Sequence, residues 1–337
     1  MPLNRRSLLI AAPLLATPGL VFGQALPEYK PNFRRLRVGT ATTGGNYHWA
    51  VVEPRVGFQS TLDGLFPEGV QAVPSNGSRD NVDRLLAGDL DMAFVQEDVL
   101  VDATKAKPEL RREMPVFRVS HPEVLHIIAG QANKWSDLDT FAKAGGELGV
   151  GRAGGGTAET WRILTEVSED AKKFFQKINP AIVGADYNRF VEVRDTRGTA
   201  QAMIEGPGSD NSTVANEVSV GHGKPELIML NIDDKRWSAL KRLDGEALYK
   251  TYQLAPKAAV QRNGSNPGSP GFYDHLLPAG GWISSGGIST IGTRALLVVR
   301  GAYRAGMPSD QGTRVGRAID QTLVALRKRT NPFNVEV

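Results

Sequence analysis

Two glycine-rich stretches carry the residue types best suited to chemistry: Thr43-Gly44-Gly45-Asn46 and Gly154-Gly155-Gly156-Thr157. Each lies between a strand pattern and a helix pattern. Glycines let the backbone approach a bound group closely. The free N–H groups of a helix start point outward, and the helix dipole adds about half a positive charge there. This combination suits capture of a small anion, and in open α/β sheets ligands bind at such carboxyl-end loops. One loop alone reads equally well as a tight turn. Two in matching places of one chain favour binding.

The residues that would support an enzyme are thinner. Gly149-x-Gly151-x-x-Gly154 matches the dinucleotide fingerprint, but a lone match is weak, and the loop lies mid-chain. The acids about 20 residues on, Glu169 and Asp170, follow a helix rather than an evident second strand. A periplasmic NAD(P)-dependent oxidoreductase is therefore the rival reading. No G-x-S-x-G elbow, H-E-x-x-H pair or P-loop lysine pattern occurs. The five histidines, His48, His121, His126, His222 and His275, have no metal-ligand spacing, and cysteine is absent, which excludes disulfides, thiolate metal sites and Cys nucleophiles. The reading is of a binding protein with no cofactor and no metal.

The elements that must position the loops follow a β-loop-α order. Leu36–Gly39 and Val70–Val73 read as strands, and Tyr47–Leu62 as a helix weakened by Pro54. Ser78 is expected to cap a helix over 79–87, whose Val82, Leu85 and Leu86 share one face. Leu90–Val95 is an apolar strand of the kind buried in a parallel sheet. The pattern then repeats: a strand at Val124–Ala129, a short helix capped at Ser136-Asp137, and a strand at Glu147–Val150. Beyond these come a helix at Ala158–Val167, a strand at Ala181–Val183, a helix at Thr199–Ile204 and a strand at Leu227–Ile232. Residues 261–287 are rich in Gly, Pro and Ser and read as a long loop. A late strand ends in Ala-Leu-Leu-Val-Val299, and a helix runs from Asp310 to Arg329.

With 337 residues, 41% of them hydrophobic and 23% charged, the chain has the composition of a globular protein of about two domains. At its start, Arg5-Arg6 precedes an apolar run from Leu8 to Phe22, and Gly23 and Ala25 then stand two apart. This reads as an export signal cleaved after Ala25. The run is too short to span a bilayer. The arginine pair fits a twin-arginine signal and an ordinary secretory signal equally. Residues 1–25 hold two Arg and no acid, so their removal lowers the net charge from +4 to +2. That leaves no basis for nucleic-acid binding.

At the two glycine loops the chain resembles the TAXI family of substrate-binding proteins, which serve TRAP-type transporters. Four blocks carry the resemblance: Val38 to Tyr47, Ser75 to Gln96, Val150 to Thr157, and Ile291 to Val299. It implies an α/β fold of the two-lobed, type II-like periplasmic binding protein, each lobe a mainly parallel sheet flanked by helices with a hinge between. The expected division is a signal at 1–25, one lobe from 26–125 plus 285–337, a second from 126–260, and a crossover at 261–284. By position, Thr43, Gly45, Asn46 and Tyr47 would line one wall of a cleft, with Asn76 and Gln96. Gly155, Gly156 and Thr157 would supply the other. The implied ligand is a small carboxylate, a glutamate-like amino acid or a dicarboxylate. The implied partners are TRAP-type permease subunits, or a membrane sensor to which the ligand is presented, and the protein is expected to be a periplasmic monomer. Gly155 stands where the family usually has Ser, and the stretch from Glu205 to Asn211 replaces a usual strand.

Overall fold

The computed structural model describes residues 28–207, 226–232, 237, 240–242, 244–254 and 288–330. The expected export signal, most of the Gly/Pro-rich stretch after Glu205, and the 261–284 crossover lie outside these residues.

The first half begins with three parallel strands: β1 (Leu36–Gly39), β2 (Val70–Val73) and β3 (Met92–Gln96). The second half holds three more: β5 (Glu147–Gly149), β6 (Asn179–Ala181) and β7 (Thr199–Glu205). Two long strands join them. β4 (Val116–Gly130) and β10 (Ile288–Val299) lie side by side at the centre of the order β2-β1-β3-β10-β4-β7-β5-β6. β10 pairs with β3 through Ala295–Val299, and β4 pairs with β7 through Val124–Ala129, both antiparallel. Two short strands, β8 (Leu227–Met229) and β9 (Lys250–Leu254), complete the sheet on β4 and β10. The result is a two-lobed α/β fold in which two strands belong to both lobes.

Period-2 alternation explains how each half is buried. Met92 and Phe94 of β3 join one apolar cluster with Leu36, Phe58 and Ile319, whereas Ala93 and Val95 face Val82, Leu85 and Leu100 on the other side. Along β4, Leu125 and Ile127 pack with Phe141, Trp161 and Phe175, while Val124 and Ile128 face Phe190 and Tyr252.

Where β4 and β10 cross between the halves the register breaks. Val119 pairs with Leu296 and Pro122 with Arg294, so β4 carries one residue more than β10 over this interval. This bulge contains Ser120 and His121, and it explains how Pro122, which has no N–H to give a ladder, is accommodated inside a central strand.

The helices are α1 (Asn46–Val52), α2 (Phe58–Thr61), α3 (Ser78–Ala87), α4 (Glu97–Lys105), α5 (Leu110–Glu113), α6 (Leu138–Ala144), α7 (Gly156–Glu166), α8 (Glu169–Phe175), α9 (Tyr187–Asp195), α10 (Gly301–Gly306) and α11 (Ser309–Thr330). Three sequence expectations are corrected. The helix expected over Tyr47–Leu62 is two helices, α1 and α2, broken around Pro54. Gly57 restarts it, since a Cβ there would lie 2.6 Å from the Glu53 nitrogen. Thr199–Ile204 is a strand, not a helix: it is held between β4 and β5, and those ladder bonds outweigh the helical preference of Ala-Gln-Ala-Met. Ser78 is the first residue of α3 and not its cap; the cap position is Gly77, and the Ser78 hydroxyl bonds Gln96 instead. Within the Ser136-Asp137 pair expected to cap α6, the cap is Asp137, which accepts from the Thr140 N–H at 2.7 Å in a full capping box.

Candidate functional site

Three loops follow strands β1, β2 and β5 and lead into helices α1, α3 and α7. Each needs glycine where the backbone enters the left-handed region: Gly44 at φ +86°, Gly77 at +133°, and Gly151 and Gly154 at +89° and +74°. The loops before α3 and α7 come from opposite halves of the sheet and touch backbone to backbone. A Cβ on Gly77 would lie 2.9 Å from the Gly155 Cα and 3.0 Å from the Gly156 nitrogen. Beside this contact is a cleft of about 420 Å³, whose lining includes Thr42, Asn76 and Gly77 of the first half and Gly155, Gly156, Thr157, residues 184–186 and 202–205 of the second.

Neither α3 nor α7 has a side-chain cap. Both helix starts reach the cleft: Gly77, the cap residue of α3, and Gly156 and Thr157, the first residues of α7, line it. Two such ends repel each other when the space between them is empty. An anion there turns that repulsion into attraction, with each terminus contributing roughly 0.3–1 kcal/mol. Arg152 adds a cation to the lining; Asp186 and Glu205 are its acids. The Asp186 carboxylate caps α9 by accepting the Arg189 N–H at 2.9 Å. The Thr157 hydroxyl accepts the Ile204 N–H at 3.1 Å, which leaves its own proton available to donate.

The candidate residues thus divide. Asn76, Gly155, Gly156 and Thr157 line the cleft together. Gln96 lies directly behind Gly156, 2% exposed, with its Nε2 donating to the Thr160 hydroxyl at 3.4 Å. Thr43, Gly45, Asn46 and Tyr47 are not among the residues lining this cleft. Thr43 is exposed, Gly45 caps α1, and the Asn46 Oδ1 accepts from Arg329. Tyr47 turns inward: its ring stacks on Phe94, and its hydroxyl donates to Glu123 Oε1 at 2.8 Å.

Beneath the cleft is a polar seam that sequence reasoning missed. Asp98, fully buried in the first turn of α4, accepts at Oδ2 from the Thr160 hydroxyl at 2.5 Å and the Tyr249 hydroxyl at 2.7 Å. Burial pushes its carboxyl up to about 6 against the opposing effect of those donors. Tyr47 and Tyr249 are both held well above the usual tyrosine range, first by burial and then by the carboxylates they face. The only sequence signal was the run Gln96-Glu97-Asp98, three polar residues directly after an apolar strand. Arg152, inside the second glycine loop, is a further lining residue. Among the described residues no cluster of three or more His, Asp or Glu side chains could hold a metal. For the dinucleotide reading, Glu169 and Asp170 lie in the first turn of α8, ahead of the next strand rather than at its end, where a ribose-binding acid belongs.

Residues 38–234, more than half of the chain, match the sequence profile of the NMT1-like family. The chain belongs to the NMT1-like family. No curated protein sequence matches it. Among solved structures, this NMT1-like protein is similar to XAC2383 from Xanthomonas citri bound to chloride ion, at 11% identity and TM-score 0.48 over 89% of each chain. An ancestral arginine-binding protein bound to arginine is similar at 12% identity and TM-score 0.44, over 88% of this chain and 98% of that one. A marine metagenome TRAP solute binding protein specific for pyroglutamate follows at 8% identity and TM-score 0.43, over 88% of this chain and 80% of that one.

Proposed function

We infer that this protein is an exported solute-binding protein that closes on a small carboxylate and delivers it to a TRAP-type membrane transporter. The observation that carries the reading is the meeting of two uncapped helix starts, those of α3 and α7, from opposite halves of the sheet around one cleft. The moving units are residues 26–125 with 285–337, and residues 126–260. β4 and β10 act as the hinge, and the bulge at Ser120-His121 is the point of flexure. Thr157 and Asn76 supply side-chain contacts, and the backbone of Gly155 and Gly156 approaches the ligand directly. Family membership and the two-lobed sheet support this reading, as does the TAXI-like form of the glycine blocks. Presentation of the same ligand to a membrane sensor uses the same cleft and differs only in the partner.

Native mass spectrometry of protein isolated from the periplasm tests both parts. The intact mass should lack residues 1–25, and gentle activation should release a small carboxylate. An intact mass that begins at Met1, or a released dinucleotide, would overturn the reading. Arg5→Lys with Arg6→Lys decides the export route: blocked export assigns the twin-arginine pathway, and normal export the general secretory one.

A further inference from the structure

Asp98 occupies the seam between the two halves. It belongs to α4, which packs on α3 and β3, and its Oδ2 is met from the other side. The Thr160 donor stands on α7 and the Tyr249 donor just ahead of β9, both in the apolar cluster of the second half or adjoining it. Its other oxygen accepts its neighbour Val99's N–H at 2.9 Å. No basic side chain lies in salt-bridge range of it among the described residues. The cations nearby are engaged: Arg294 with Glu97, and Arg162 with Asp102 and Glu159. The ionisable groups that act on Asp98 from the packed elements are Tyr249 and, on β4, the carboxyl of Glu123; Tyr47 on α1 feels the charge of both acids. None of these three is a cation.

A buried carboxylate without a cation is held at a cost that protonation removes. When the halves separate, Asp98 leaves Thr160 and Tyr249 and meets water, where an aspartate titrates near 3.9.

We propose that closure of the two halves takes up a proton at Asp98, so that acid favours the closed protein and alkali the open one. This rests on the reading that the halves open and close on a solute. The proton sits on Oδ2 and is donated to the Thr160 oxygen, whose hydroxyl serves in either role, while Tyr249 continues to donate to Oδ2. The sign follows from linkage. The closed state binds the proton more tightly, so its advantage is complete below about pH 4 and is lost as pH rises through about 6. Between pH 7.5 and pH 4.5 the closed-to-open ratio should rise roughly twentyfold.

The chain has no cysteine, so a pair of spin labels reports this directly. Asp63→Cys and Lys173→Cys place labels on exposed positions in the two halves. Pulsed electron–electron resonance on solute-free protein should show the short-distance population growing between pH 7.5 and 4.5. In Asp98→Asn, a neutral isostere, it should be independent of pH. Should that variant fail to fold, Tyr249→Phe, which removes one donor to the carboxylate, must move the transition to higher pH. A carboxyl carbon resonance of wild-type Asp98 titrating above those of the exposed aspartates supports the proposal. Titration together with them overturns it, as does an unchanged distance distribution, a pH dependence surviving in Asp98→Asn, or an unmoved transition in Tyr249→Phe. A distance that stays short at both pH values refutes proton-linked closure but leaves solute binding standing, because that is read separately from stabilisation by carboxylates.

Discussion

Gly156→Ala should destabilise the protein through Gln96 alone. A Cβ at position 156 would lie 1.6 Å from the Gln96 Oε1 and 2.7 Å from its Cδ. Gly156 is the first residue of α7, and its φ lies outside the left-handed region, so the backbone tolerates alanine there. The Gln96 amide must move instead. It is 2% exposed and bonded to Ser78 and Thr160, so displacement leaves buried polar atoms unpaired. That costs about 1–3 kcal/mol. Gln96→Ala alone should cost a similar amount. In the Gln96→Ala background, however, the obstacle is gone, and Gly156→Ala should be neutral or stabilising by up to about 1 kcal/mol through helix propensity. Urea unfolding of the four proteins completes the cycle, and the coupling should be about 1–3 kcal/mol, the cost of the relieved clash, because the propensity gain is common to both backgrounds and cancels. Strictly additive costs would refute the contact between the two halves at Gln96.

Three further outcomes are expected. Gly77→Ala places a Cβ against the backbone of Gly155 and Gly156 from a positive φ, so it should hold the loops apart and abolish carboxylate binding while costing only about 1–2 kcal/mol of folding stability; unchanged binding by calorimetry would remove this contact from the mechanism. Tyr47→Phe leaves Glu123 without its hydroxyl donor and should lower the stability of the solute-free protein by about 1–3 kcal/mol with affinity nearly unchanged; the reverse pattern would return Tyr47 to the binding site. His126, fully buried, is pushed down to about 4 by desolvation, so stability present above about pH 6.5 should be lost as pH falls toward 4, on the order of 3 kcal/mol in all, and an imidazole resonance with an ordinary midpoint would contradict this.

Local chemistry made much of the fold legible. The helix face of Val82, Leu85 and Leu86 is buried as its spacing implies, and β1 and β2 have the bounds their apolar runs suggested. The crossing strand was only half visible. Val124–Ala129 is apolar apart from His126, but the stretch upstream through Arg118, Ser120, His121 and Pro122 has no strand periodicity, because its partner β10 arrives from about 170 residues away and supplies the order. The 199–204 segment misled for the same reason: a helical composition is overruled by neighbours on both edges. At the site, the second glycine loop was readable because glycine suits its left-handed turns at 151 and 154, whereas Gly77, also left-handed, stood outside both glycine-rich stretches. That Gly77 meets Gly155 is a tertiary fact with no local trace. Nor does anything beside Tyr47 in sequence reveal that its hydroxyl turns to Glu123.

The central claim is that the cleft between the α3 and α7 helix starts takes a small carboxylate. Thermal unfolding against a panel of glutamate, glutamine, 2-oxoglutarate and other small carboxylates, with NAD and NADP alongside, tests it most directly. By mass action, a true ligand at a hundredfold excess over its Kd stabilises the protein by about 2.7 kcal/mol. At least one carboxylate should raise the melting temperature of the wild type and not of Gly77→Ala. Stabilisation by NAD or NADP and by no carboxylate would contradict the account.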